Sequence, residues 1–190
     1  MRTSRALILA SIAASGLLLA GCKATTSGVT TTAVTTGTGH AAASSAASAA
    51  AKAGLGSAIN LKGVDSGDEI QVTLVKIADP DQATDGFSTP DAGDRYVSVE
   101  FQILDNGTTP YQDDPAVDAA VKDAAGQAFQ STIVTSTAAG PQMDSSTNLA
   151  PGDKALGWIT FEVPTADKVS TVQYGLNGGM AGAVGEWTVG

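Results

Sequence analysis

Two stretches of this chain alternate too regularly to be anything other than half-buried strands. From Arg95 to Asp105, Val97, Val99, Phe101 and Ile103 fall on one side, and Ser98, Glu100 and Gln102 on the other. Gly157 to Val163 repeats the design, with Ile159, Phe161 and Val163 inward and Thr160 and Glu162 outward. A side-chain period of two belongs to a pleated strand with one face on a core. Such a chain must therefore build a sheet and cover its apolar face with a second layer. Asn106-Gly107 ends the first run with a turn, and Pro164 stops the second.

The remaining elements are weaker but of the same kind. Between Glu69 and Ile77 the apolar set is Ile70, Val72 and Leu74, after which the phase flips to Val75 and Ile77, so a β-bulge or an edge-to-core crossover is expected near Leu74. Further strands are expected over Val117 to Lys122, Ala128 to Val134, Ser170 to Leu176 and Glu186 to Val189. Pro151-Gly152 suits the centre of a type II turn, and no stretch sustains a helical period. The expected class is all-β, an antiparallel immunoglobulin-like β-sandwich. The Cys…Trp…Cys pattern of antibody domains is absent, which leaves Trp158 or Trp187 to fill the core without a disulfide.

Upstream the chain has a different character. Arg2 and Arg5 precede an uncharged apolar run from Ala6 to Leu18, and Leu19-Ala20-Gly21-Cys22 closes it. That order of charge, apolar core and small residues reads as a secretory signal over residues 1–21, too short for a spanning helix. Residues 22–57 read as a linker, Thr-rich and then Ala/Ser-rich, with too little apolar surface to offset the entropy of ordering it. As a flexible coil of about 35 residues it would span roughly 30–35 Å. Every aromatic residue lies between Phe87 and Trp187, so the folded unit is placed at 58–190.

The Leu19–Cys22 run resembles the lipobox of bacterial lipoproteins. This implies a diacylglyceryl group on the sulfur of Cys22, removal of the signal just ahead of it, and attachment to the cell membrane on its extracellular face. Two acyl chains make such attachment effectively permanent. The downstream residues resemble bacterial surface lipoproteins carrying an uncharacterised immunoglobulin-like domain, related to the secreted immunoprotective antigen of mycobacteria. The matching pieces are Gly93-Asp94-Arg95-Tyr96-Val97-Ser98-Val99, Asp105-Asn106-Gly107, Lys122-Asp123-Ala124-Ala125-Gly126, and Leu149-Ala150-Pro151-Gly152 leading to Gly157-Trp158-Ile159-Thr160-Phe161-Glu162-Val163-Pro164. The resemblance implies an exported β-sandwich, commonly from Gram-positive bacteria, and no catalytic residues. The Ala- and Gly-rich composition fits an actinobacterium.

The inventory of reactive side chains is thin. Cys22 is the sole cysteine, so a lipid on its sulfur leaves the mature chain without a disulfide, a thiolate nucleophile or a cysteine-held zinc. His40, the only histidine, falls in the linker, which excludes a Ser-His-Asp triad or a multi-histidine metal site from the folded unit. His40, Met143 and Met180 are too scattered to read as copper ligands. Net charge is −9, and loss of Arg2 and Arg5 with the signal makes it −11, a surface that repels nucleic acid.

Oxygen ligands are more abundant. Asp79, Asp81, Asp85, Asp91 and Asp94 crowd one loop, and Asp81, Asp85 and Gly86 fall at the first, fifth and sixth places of an EF-hand-like loop. Ala83 and Ala92 stand at the third and twelfth, so these aspartates, with Asp113 and Asp114 as helpers, are weak calcium candidates against a solvated loop. Glu100 and Glu162 are the one carboxylate pair on good strands that a hydrolase of wall polymers could use. Gly178-Gly179 and Gly182 lack the Lys-Ser/Thr of a phosphate cradle and read as a hairpin loop. The leading expectation is a lipid-anchored, non-enzymatic binding module for an extracellular protein or wall component. A calcium-dependent structural module is the alternative, and a cell-wall hydrolase the remote one.

Overall fold

Apolar alternation on both sides of each turn produces two sheets packed face to face. A computed structural model describes residues 53–190 together with the short strand Thr30–Thr32; residues 1–21, expected to be a signal, and Cys22 and His40 lie outside the described residues. The strands are β1 (Thr30–Thr32), β2 (Ala58–Lys62), β3 (Glu69–Asp81), β4 (Asp94–Asp105), β5 (Tyr111–Asp113), β6 (Ala119–Asp123), β7 (Ala128–Gln130), β8 (Thr147–Leu149), β9 (Lys154–Pro164), β10 (Val169–Gly175) and β11 (Val184–Thr188). A one-turn helix α1 (Pro115–Asp118) precedes β6. The first sheet runs β1-β2-β3-β4-β9, the second β11-β10-β6-β7, and β5 pairs with β8. All named ladders are antiparallel.

The inward set of β4, Val97, Val99, Phe101 and Ile103, is buried as the alternation requires, opposite Ile159, Phe161 and Val163 of β9. From the second sheet Val121, Val172, Tyr174 and Trp187 meet them. Phe101 joins the layers: its ring lies 5.2 Å from that of Tyr174 and 6.2 Å, edge-on, from that of Trp187. Trp187 Nε1 donates to the Ser57 carbonyl at 2.8 Å, so the buried indole leaves no donor unpaired. Trp187 is thus the core tryptophan, while Trp158 is buried on the opposite face of the first sheet.

The register of β3 against β4 shifts between Leu74 and Lys76 and again between Ala78 and Asp81. The first shift is the bulge expected from the phase flip; it sends Lys76 out to Glu100 and turns Ile77 inward. At Pro151-Gly152 the chain turns with Gly152 at φ +90° and Asp153 N donating to the Ala150 carbonyl at 2.8 Å.

Several expectations change. Ser98, Glu100 and Thr160 do not face solvent: residues 131–143 cross that face and close the free edge of β9, with Met143 N donating to the Trp158 carbonyl at 2.7 Å. Ser98 and Thr160 pair through their hydroxyls at 3.0 Å, and Thr160 donates to Gln142 Oε1 at 3.1 Å. A Cβ on Gly157 would lie 2.7 Å from Met143 Cα, so the cover needs glycine there. Val117 and Asp118 belong to α1, because Asp114 caps Ala116 N at 3.1 Å and Pro115 starts the turn. Within the 22–57 stretch, Thr30–Thr32 lies along β2, and Ala53 is buried with its carbonyl accepting Thr188 N at 2.8 Å.

Candidate functional site

The sandwich has two ends of different chemistry. One carries Asp79 to Asp94, the start of β10 and the end of β11; the other carries the turns at 63–68, 105–110 and 176–183. We call them the groove end and the carboxyl end.

At the groove end the five aspartates of the acidic loop are dispersed, and the carboxylates of Asp79, Asp81 and Asp85 each hold partners of their own. Asp79 holds Arg95 in a two-point pair, Nε to Oδ1 at 2.6 Å and Nη2 to Oδ2 at 2.9 Å, and this bond raises the guanidinium further above its ordinary value. Arg95 also donates to the carbonyls of Pro164 and, at 2.9 Å, Asp167. Asp81 is buried, its Oδ1 accepting Gln82 N at 2.8 Å and Ala139 N at 3.2 Å. Asp91 donates its backbone N–H to Glu162, and Asp94 opens β4. Among the described residues no three carboxylates converge on one point. Asp113 and Asp114 lie at the carboxyl end and are not brought to this loop.

Asp85 acts as a loop clamp. Its carboxylate accepts from Ser88 Oγ at 2.6 Å, Ser88 N at 2.8 Å, Phe87 N at 3.1 Å and Thr135 Oγ1 at 3.1 Å. These bonds, the Ser88 hydroxyl foremost, hold its carboxyl well below the usual carboxylate range. Thr84 N to Ser136 O at 2.9 Å and Ala138 N to Gln82 O at 2.8 Å complete the attachment of the 82–91 loop to the 131–142 crossing. On this braced pair Phe87 is 75% exposed and Ile133 94% exposed.

At the same end lies a groove of about 320 Å³, lined by Leu55, Ile77, Val169 and Val189 together with Lys168. The volume falls in the range of small-molecule sites, about 300–1,000 Å³. Asp79 also lines it but is neutralised by Arg95, and among the described residues Lys168 makes no ion pair. Neither sequence periodicity nor motif pointed here, because the walls come from four separated segments.

The Glu100 and Glu162 pair fails on register. Glu100 stands opposite Trp158, whereas Glu162 stands opposite Tyr96, four residues along β4. That offset is roughly 13 Å at about 3.3 Å per residue, beyond the separation of paired glycosidase carboxylates. Glu100 is also buried beneath the 131–143 crossing, with Lys76 Nζ 3.6 Å from its Oε2.

The carboxyl end holds a cluster that sequence reasoning missed. Asp113 accepts from the Tyr111 hydroxyl, from Asn177 N at 2.7 Å and from Asp114 N at 2.9 Å. Asp118, buried at the end of α1, accepts Gly178 N at 2.7 Å through Oδ1. Burial, then the neighbouring Asp113, pushes the Asp118 carboxyl up to about 8. Burial opposes ionisation of Asp113 too, but the Tyr111 and Asp118 bonds with the backbone N–H groups outweigh it and lower its carboxyl. Tyr111 and Tyr174 are raised, chiefly by burial, and stay neutral. The pair holds one proton and fixes the 176–182 turn to α1, with Asp118 buried and Asp113 half-buried.

Fold and site together define an all-β sandwich module with braced loops and an apolar groove at one end. The profile named Domain of unknown function (DUF4352) matches residues 64–183. The chain belongs to that family. Among solved structures it is similar to MPT63, a secreted protein from Mycobacterium tuberculosis, at 17% identity over 73% of this chain and 97% of that one, TM-score 0.52. It is also similar to a candidate lipoprotein (ycdA) from Bacillus subtilis, at 11% identity over 67% of this chain and 38% of that one, TM-score 0.50. At these identities the likeness shows the shared sandwich. Among curated proteins none matches significantly.

Proposed function

We propose that this protein is a non-enzymatic binding module of the immunoglobulin-like class, anchored by lipid at Cys22 on the extracellular face of the membrane, that takes the aliphatic part of an extracellular ligand into the groove beside Lys168. The single observation that carries the binding role is that groove, apolar on both sheet faces and rimmed by one cation without a carboxylate partner among the described residues. Burying apolar ligand surface contributes about 25 cal/mol per Å², and the ammonium favours a ligand with an acidic head. The anchor is supported by the Leu19–Cys22 run behind a charged and apolar leader. The secreted and lipoprotein character of the proteins that share the fold agrees with this location.

Titration of the purified chain with a fluorescent medium-chain fatty acid tests the binding role. Saturable binding is expected, weakened about tenfold by Val189→Trp, which fills the groove, and several-fold by Lys168→Ala. Binding that neither substitution changes would refute the assignment. Labelled palmitate that fails to appear on the chain in its host would refute the anchor.

A further inference from the structure

We infer that the edge of β2 is a strand-acceptor site for the chain's own Thr30–Thr32 segment, and that this latch decides which end of the sandwich faces the membrane. The two outer edges of the first sheet are closed differently. Residues 131–143 cover β9 through backbone bonds such as Thr132 N to Thr160 O at 2.8 Å. Among the described residues the β2 edge is covered by β1, in the register Thr30↔Asn60, Thr31↔Ile59, Thr32↔Ala58. An open edge is a template for any extended segment, and a run of β-branched threonines is suited to it. Pairing within the chain blocks that template against a second copy.

The register sets a direction. β2 runs from Ala58, near the groove end, to Lys62 at the carboxyl end, where Lys62 faces Glu69. β1 is antiparallel, so the chain arrives at Thr30 from the carboxyl end and leaves at Thr32 toward the groove end. The next described residue is Ala53, on the groove side, where its carbonyl accepts the Thr188 N–H at 2.8 Å, and with the latch undone attachment passes to this point. The latch therefore moves the point of attachment from one end of the sandwich to the other.

It also shortens the reach. Seven residues separate Cys22 from Thr30, and thirty separate it from Ala53. At an extended rise of about 3.5 Å per residue these paths reach about 28 Å and about 110 Å. Height and orientation rest on the anchoring at Cys22 proposed above; the strand pairing does not. Latched, the body is held low with the 63–68 and 176–183 turns toward the bilayer, and the groove and Phe87 presented outward. Unlatched, it is free to stand off with the groove end nearest its stalk.

The test uses the lipidated full chain in liposomes. Thr31→Pro with Thr32→Pro removes ladder donors in either hydrogen-bonding phase while leaving the folded body untouched. Amide exchange over residues 58–62 should accelerate about tenfold in this variant. Unchanged exchange overturns the latch, and acceleration that depends on protein concentration shows a second copy as the occupant and overturns the pairing within one chain. Dyes placed at Ser66→Cys, near the carboxyl end, or at Thr89→Cys, near the groove end, then report energy transfer to an acceptor in the bilayer. Transfer should be stronger from position 66 than from 89 in the latched chain, and the proline pair should abolish or reverse that order. An order that survives the proline pair overturns the orientation. Chains that fail to attach to the liposomes refute the anchor, and with it height and orientation, while the exchange still decides the latch.

Discussion

Replacing Asp118 with asparagine should flatten the pH dependence of stability between pH 5 and pH 8. In the unfolded chain both Asp113 and Asp118 ionise near the ordinary aspartate value of about 4. In the folded chain Asp118 stays protonated up to about 8, held neutral by burial and by Asp113. Unfolding across this window therefore releases a proton, and stability falls as pH rises. The contribution is fully present below about 4 and is lost as pH passes about 8. One proton gives a slope of at most about 1.4 kcal/mol per pH unit, or about 4 kcal/mol from pH 5 to pH 8. Water reaching the 176–182 turn screens part of that, and about 2 kcal/mol is expected. For a domain of this size it corresponds to roughly 6 °C in Tm. Tyr111 and Tyr174, which face the pair, are held neutral throughout the window, and Asp113 is held ionised. Asp118→Asn retains an oxygen for the Gly178 N–H and offers an amide to Asp113 without titrating. Calorimetric melts at pH 5, 6, 7 and 8 should show the wild type losing about 6 °C more than the variant. A variant that keeps the wild-type slope would refute the reasoning.

Other substitutions read other parts of the fold. Gly157→Ala places a methyl 2.7 Å from the Met143 backbone and should cost about 2 kcal/mol, seen as a lower urea midpoint at unchanged m-value. Arg95→Ala removes the donors to Asp79, Pro164 and Asp167 at once and should cost about 2 kcal/mol by the same measurement, with Arg95→Lys recovering only part of it. Calcium and chelator should give equal melting midpoints, because the carboxylates of Asp79, Asp81 and Asp85 hold separate partners and no three acidic groups converge among the described residues; a midpoint raised by calcium would reinstate the acidic loop as a cation site.

The strands that carry the core were legible because burial on one face writes itself into alternation. Val97 to Ile103 and Ile159 to Val163 show this, and the phase flip at Leu74 located the bulge. What lay on the other face was not legible. Ser98, Glu100 and Thr160 look like solvent-facing residues, yet they are buried where residues 131–143 attach to β9 through backbone and Gln142 hydrogen bonds, which have no period to read. The short strands β2, β5 and β8 were not expected, since three to five residues carry little alternation, and the equally short β7 was expected only as part of the longer run Ala128 to Val134. Asp113 and Asp114 drew attention as oxygen ligands, but Asp118 acquires its character only when α1 buries it beside the 176–182 turn. The groove likewise exists only after Leu55, Ile77, Val169 and Val189 are brought together from four segments. Ordering of Thr30–Thr32 depends on an edge supplied by β2, which its own composition does not reveal.

The placement of the two tryptophans on opposite faces of the first sheet gives the molecule a pair of optical reporters. Trp187, enclosed with Phe101 and bonded to Ser57, is shielded from water and sits beside the joint where residues 53–57 enter the body. Trp158 lies under the 131–143 crossing, its indole against Gly140. Emission from a chain carrying Trp158→Phe follows separation of the sheets, and emission from one carrying Trp187→Phe follows lifting of the crossing. Loosening of the outer cover and rupture of the interior can thus be timed separately by intrinsic fluorescence alone.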